Sequence, residues 1–269
     1  MYRANPMTVA SLPLKGYIPL ASAVLMLAAM SPTSAHAAEW DFTLGAGVGV
    51  APDYEGSDDY AAVPVLLARA AKDNGQLVEL RGTALRANLV PSSVFSAGPI
   101  VNYRFERDDV DEDAVDDLDD VDDAIEVGGF VGLGYQGWLA RVTLTQDVND
   151  AHDGTLLSLL AGYRAQLAPQ WSLTTIASST WADDDYMDTY FGIDAGDAAA
   201  SGLDEFEAEE GFKDVGLTLR LAWSSGANWG VTANASYKRL LGDAEDSPVV
   251  DDVGDENQLF GSLALTYSF

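Results

Sequence analysis

Alternation at period two runs through most of the chain. In "NQLFGSLALTYSF", Leu259, Gly261, Leu263, Leu265, Tyr267 and Phe269 fall on one face of an extended segment, and Ser262, Ala264, Thr266 and Ser268 on the other. "NWGVTANASYKR" sets Trp229, Val231, Ala233, Ala235 and Tyr237 against Thr232, Asn234, Ser236 and Lys238. "FKDVGLTLRLAW" sets Val215, Leu217, Leu219, Leu221 and Trp223 against Asp214, Gly216, Thr218 and Arg220. One apolar face and one small, polar face at this period predict β-strands. The rhythm continues upstream through "QWSLTTIASSTW", "GTLLSLLAGYRAQL", "GWLARVTLTQDV", "IEVGGFVGLGY", "VFSAGPIVNYRFE", "QLVELRGTALRANL", "AAVPVLLARAA" and "WDFTLGAGVGV". No segment has a convincing helical period, so the chain is expected to be all-β.

The connections come in two kinds. "YQG", "LAPQ" and "SSGAN" are short, whereas Asp108 to Asp123, Ala182 to Gly211 and Gly242 to Glu256 are long and acidic. A soluble β-sandwich would bury the apolar faces against a second sheet. An antiparallel transmembrane barrel would turn them to lipid and keep Arg104, Glu126, Arg141, Arg164, Arg220 and Lys238 in its lumen. Segment length, loop asymmetry and the terminal Phe269 favour the barrel. Trp138, Trp171, Trp223 and Trp229 flank the short turns and Trp40 opens the first strand, as an aromatic girdle at the periplasmic interface requires, with Trp181 at the opposite rim.

Eleven segments are visible, yet a closed antiparallel barrel with both ends in the periplasm needs an even number. The polarity phase slips inside "LVELRGTALRANL", where Val78 and Leu80 share one parity and Leu85, Ala87 and Leu89 the other. A reversal near Gly82, or an unseen strand near "DTYFGI", would make twelve. Twelve is the expected number, with ten as the alternative.

The first residues carry a separate signal. Arg3 and Lys15 flank the apolar run Tyr17 to Met30, and "SPTSAHA" ends in Ala35, His36, Ala37. This pattern predicts a secretory signal peptide over residues 1–37, cleaved after Ala37, with the barrel domain over 38–269. The run is short of the ~20 residues of a membrane-spanning helix. The chain has no cysteine, so no disulfide staples the exported protein. Its net charge of −29, which cleavage makes more negative still, argues against nucleic acid as a partner.

With the last strand descending to a periplasmic C-terminus, the long loops and Val148 to Gly154 are extracellular. The block "DDVDEDAVDDLDDVDD" (Asp108 to Asp123) then reads as an extended, solvated loop, dispensable for folding. Asp109, Asp111, Asp113 and Asp120 stand at EF-hand-like intervals, but Ala114 occupies the position where that loop turns on glycine. No specific metal site is expected. His152, in "NDAHDG" between Asp150 and Asp153, is the one histidine after cleavage, and the string is first of all a turn. A catalytic set would have to use it, so neither an enzyme nor a cofactor is expected.

"GAGVGVAPDYEGSDDYAAVPV" (Gly45 to Val65), "YFGID" (Tyr190 to Asp194), "GFKDVGL" (Gly211 to Leu217), "DSPVVDD" (Asp246 to Asp252) and the ending "TYSF" together resemble the MipA/OmpV family of outer-membrane proteins. The resemblance spans essentially the whole chain after the signal peptide. It implies an outer-membrane barrel and a structural scaffold that brings a murein hydrolase, a lytic transglycosylase, together with a bifunctional murein synthase. The alternative function is a narrow, osmotic-response porin to which the acidic loops would give cation preference.

Overall fold

The computed structural model describes residues 40–269; the expected signal peptide and cleavage after Ala37 fall outside the described residues. Twelve antiparallel strands close into a barrel in which each strand pairs with its neighbours in sequence and the last pairs with the first. They are β1 (Asp41–Pro52), β2 (Tyr60–Ala71), β3 (Leu77–Arg81), β4 (Ala84–Asn88), β5 (Phe95–Arg104) and β6 (Ala124–Tyr135) in the first half. The second half holds β7 (Trp138–Asp147), β8 (Thr155–Ala168), β9 (Trp171–Ala182), β10 (Gly211–Ser224), β11 (Trp229–Leu240) and β12 (Asn257–Ser268).

The twelfth strand comes from the reversal at Gly82. Here φ is +61°, a left-handed conformation that glycine adopts without the cost of a Cβ. The hairpin pairs Leu80 with Leu85, Glu79 with Arg86 and Val78 with Ala87. Cross-strand partners in this register have opposite parity, so the phase slip in the sequence is the fold itself. The alternative source, "DTYFGI", lies in a helix and its C-cap up to Gly192, and Ile193 makes only an isolated bridge to Phe206.

Outside the hairpin, strands of ten to fourteen residues exceed or match the roughly 9–11 that a tilted strand needs to cross a bilayer. Leu217, Leu219, Leu263, Leu265, Val131 and Leu133 project outward and are exposed, a continuous apolar surface that suits lipid and not water. Trp138, Trp171 and Trp229 are exposed at the short-turn rim as a girdle requires. Among the described residues no helix is long and apolar enough to cross a membrane; the crossing elements are strands.

At the long-loop rim the chain departs from the sequence expectation. Five short helices occupy those loops among the described residues: α1 (Asp113–Asp116), α2 (Asp184–Phe191), α3 (Ala195–Ser201), α4 (Asp243–Asp246) and α5 (Pro248–Asp251). The acidic block is folded and not extended. Val115, Leu118 and Val121 point inward and are buried, joining Tyr54, Ile193 and Val249 or the neighbouring cluster around Tyr186 and Phe191. Carboxylates cap the backbone of these loops. Asp116 accepts from the Val110 N–H at 3.0 Å, Asp197 from Asp119 at 2.9 Å, Asp123 from Glu106 at 3.0 Å and Asp183 from Thr155 at 2.8 Å. Loop backbone lacks a sheet ladder, so side-chain acceptors take over its N–H groups. A dense run of Asp therefore serves two purposes, solvation outward and capping inward.

Candidate functional site: the capped barrel interior

The most deeply buried large side chains sit above the barrel. Tyr186, Met187 and Phe191 of α2, Leu240 at the end of β11, and Val249 and Val250 of α5 are almost fully enclosed. Helix α2 starts at Asp183, whose carboxylate accepts from the Tyr186 N–H at 3.2 Å, a standard N-cap. Gly154 lies against Tyr186 so closely that a Cβ there would fall 2.5 Å from its backbone nitrogen. These contacts seat α2 in the barrel mouth as a packed lid.

Beneath the lid lies an ionic hub. Glu55, from the loop after β1, binds Lys213 Nζ, accepts from Tyr186 Oη at 2.6 Å and from Lys238 Nζ at 3.3 Å, and faces Arg104 Nη1 at 3.8 Å. Asp214 Oδ2 takes Lys213 at 3.1 Å and Lys238 at 3.3 Å. Arg104 Nε donates to Glu126 Oε1 at 2.9 Å, and its guanidinium lies over the rings of Tyr186 and Tyr190 at 5.0 and 5.4 Å. Burial pushes the Glu55 carboxyl up, but Lys213, Lys238 and Arg104 outweigh it and hold it well below the usual carboxylate range. Burial pushes the Tyr186 phenol well above its ordinary range, and that of Tyr190 up to about 12, so both remain neutral, Tyr186 as a donor to Glu55.

His152 belongs to the same hub and not to a solvent turn. Asp147 gathers the N–H groups of Asn149, Ala151, His152 and Asp153, with Asp150 and Asp153 at positive φ, and this nest turns the imidazole inward. Its Nδ1 accepts from Gly154 N–H at 3.1 Å, which leaves the proton on Nε2 facing Glu126 Oε1 at 3.6 Å. Asp150 and Asp153 are exposed; the carboxylate that faces the ring is Glu126. Among the described residues no group of three His, Cys, Asp or Glu side chains is placed to hold a metal ion. Asp113 lies in α1, and Asp109 adopts a positive φ of 56°.

A second tier lies nearer the short turns. Arg81, Arg86, Arg141, Arg164 and Arg220 line it with one carboxylate, Glu79, which takes Arg86 at 2.7 Å and Arg81 at 2.9 Å. Arg220 Nε donates to Asn234 at 2.9 Å and Arg164 Nη2 to Ser172 at 3.2 Å.

The alternation thus located all the expected lumen residues, and the structure divides them. Arg104, Glu126, Asp214 and Lys238 meet in the hub, whereas Arg141, Arg164 and Arg220 form the lower tier. Lys213 was missed because strict alternation would point it to lipid. The pairing with β9 shifts register between Phe212 and Asp214, and this bulge brings Lys213 inward. Glu55 and Tyr186 carry no periodic signal, since both come from loops. Glu79 and Arg86 were hidden by the unresolved reversal at Gly82.

Comparison with known proteins follows the same frame. The family model for "MltA-interacting protein MipA" matches residues 44–269, the complete barrel except for its first few residues. The chain belongs to the MipA family. Relatives within it include MltA-interacting protein of Escherichia coli K12 and that of Shigella flexneri, each 26% identical over 227 residues, 84% of this chain and 90% of theirs. Among solved structures, an outer membrane channel from Pseudomonas putida F1 aligns with 89% of this chain and 100% of its own, at 11% identity and a TM-score of 0.46. Membership of this family, with a relative named as a putative outer membrane protein in Escherichia coli K12, and the closed barrel place the protein in the outer membrane.

Proposed function

We propose that this protein is an outer-membrane scaffold that positions a murein hydrolase beside a murein synthase, with its periplasmic turns as the docking side. The observation that carries the reading is the lid. A through-pore needs an open mouth, and here α2 fills it with a buried apolar core tied by Glu55 to three cations of the wall. Family membership and the name of the relatives support the same reading. The porin alternative is weakened further by the lower tier, since five arginines facing one glutamate would repel cations.

The test is site-specific photo-crosslinking in intact cells from Asn74, Gln136 and Ala227, which are exposed in periplasmic turns. Recovery of murein hydrolases and synthases from these positions supports the scaffold. Recovery of neither, together with steady single-channel currents in planar bilayers, would transfer the function to a pore.

A further inference from the structure

The lower tier has a charge imbalance that the hub above it does not share. Of 43 acidic residues in the chain, Glu79 is the one whose carboxylate pairs with this group of arginines among the described residues. Arg141 feels the charges of Arg86, Arg81 and Arg220, and Arg220 those of Arg81, Arg86 and Arg164, with Glu79 the one carboxylate that acts on both, so the five arginines form one electrostatic unit with a single counter-charge. Register brings two of them to one level, because Thr174 of β9 pairs with Arg164 on one side and Arg220 on the other. Buried Phe130 sits below two guanidiniums, 5.2 Å from Arg141 and 5.5 Å from Arg86, which holds their planes in place.

Among the described residues three of these cations form no ion pair with a carboxylate. Arg164 and Arg220 bond to neutral oxygens, and the buried Nε of Arg141 has no acceptor among the described residues. A buried donor left without an acceptor costs about 1–3 kcal/mol, more when it is charged. Like charges gathered in a narrow lumen add repulsion. Both penalties vanish when an anion enters. The lumen at this depth is wet: the Arg81 side chain is 39% exposed and Arg164 is exposed, although both face inward. The extracellular mouth is filled, so the approach is from the periplasm. Asp41 near the strand end and Arg69, which stands opposite Glu79 in the β2–β3 register, are both exposed and add one charge of each sign.

We propose that this arginine belt binds a small, free solute bearing a doubly charged phosphoryl group, drawn from the periplasm. Three guanidiniums without a carboxylate, from β7, β8 and β10, line one arc of the wall, with Arg81 and Arg86 on β3 and β4, and a tetrahedral oxyanion can take donors from more than one of them, whereas a planar carboxylate engages one fork. The lumen faces neither leaflet, so a soluble anion and not a lipid headgroup is the ligand. This inference is independent of the scaffold reading.

Titration calorimetry of the full mature barrel in non-ionic detergent at low salt, with inorganic pyrophosphate as the probe, tests it. One saturable site is expected. Arg141→Gln or Arg220→Gln should weaken it by about tenfold or more, the loss of one charge-assisted bond. Arg141→Lys keeps the charge and should weaken it less, by about threefold, through loss of the fork. Glu79→Gln should tighten it, Arg239→Gln at the opposite rim should leave it unchanged, and acetate should compete poorly. Heat-modifiable electrophoretic mobility confirms that each variant is folded. No saturable binding by the wild type, or equal binding by a folded Arg141→Gln/Arg220→Gln double variant, would overturn the proposal.

Discussion

The two tiers of the barrel interior are built from the same residue types to opposite ends. In the hub, Glu55, Glu126 and Asp214 meet Arg104, Lys213 and Lys238, and every charge has a counter-charge within 4.0 Å. In the belt, three of five arginines have none among the described residues. A matched network around the buried Lys213 and Asp214 fixes one geometry and holds a lid shut. An unmatched one remains receptive. The difference implies that mutations in the two tiers should have opposite signs on stability.

The largest effect is expected at the centre of the hub. Glu55→Ala leaves Lys213, whose side chain is 3% exposed, without its nearest anion, and breaking a buried pair in this way costs about 3–5 kcal/mol. Denaturant unfolding in detergent should show that loss, and proteases added to whole cells should cut the loops around α2 that they spare in the wild type. Protonating Glu55 should have the same consequence more gently. Its carboxyl lies well below its ordinary value of 4.5 in the folded state, so its stabilising contribution is complete at neutral pH. That contribution is lost only as pH falls well below 4.5 through the folded-state value. Loop protection that vanished already near pH 6 would contradict the hub as drawn.

Next in size is the outer wall, against which both tiers are set. Leu219 faces lipid and Thr218 faces the lumen, where its hydroxyl pairs with Ser236 at 2.7 Å. Leu219→Arg should cost about 2–4 kcal/mol if near the midplane, while Thr218→Arg should fold with far smaller loss. Equal losses, measured by heat-modifiable mobility and urea midpoint, would mean that the faces are inverted.

A smaller effect separates the two faces of the acidic loop. Leu118→Ala removes a side chain that is 5% exposed and should cost about 2 kcal/mol or more of lid stability. Asp117→Asn, on an exposed carboxylate, should stay within about 0.5 kcal/mol of wild type. Equal protease sensitivity of these two variants on whole cells would return the block to a purely solvated role.

How much of this could be read from the chain depended on whether strands or loops carried it. Period two survives wherever a strand separates lipid from lumen, so the wall, the girdle and the inward arginines were all legible. Even the strand count was present as a phase slip, although a bulge and a reversal leave the same trace in parity and only the positive φ of Gly82 tells them apart. The hub was half legible. Arg104, Glu126, Asp214 and Lys238 follow the alternation, but Lys213 escapes it through a bulge, and Glu55 and Tyr186 reach the hub by tertiary contact alone. The helices of the lid run four to eight residues, too short for a helical period to stand out. In the acidic block, Val115, Leu118 and Val121 are spaced three apart among aspartates. That spacing was the available signal of a buried side, overshadowed by net charge.

The smallest effect is the most discriminating, because its sign is unusual. Arg141→Met removes a guanidinium that Arg86, Arg81 and Arg220 repel, with Glu79 alone attracting it, and whose Nε has no acceptor among the described residues. Methionine keeps an unbranched side chain long enough to cover the Phe130 ring, so little packing is lost. Most single substitutions lower stability; this one should raise it by about 1 kcal/mol or less in low salt, where repulsion is least screened. The gain should shrink as salt rises and should disappear when pyrophosphate is present, because the anion stabilises the wild type and not the variant. The corresponding change in the hub, Lys213→Met, should be destabilising under every one of these conditions, since it strips Glu55 and Asp214 of a shared partner. Urea midpoints measured for both variants at two salt concentrations, with and without pyrophosphate, settle the comparison. A destabilised Arg141→Met barrel would show that the arginine belt, like the hub, is a structural network already satisfied from within.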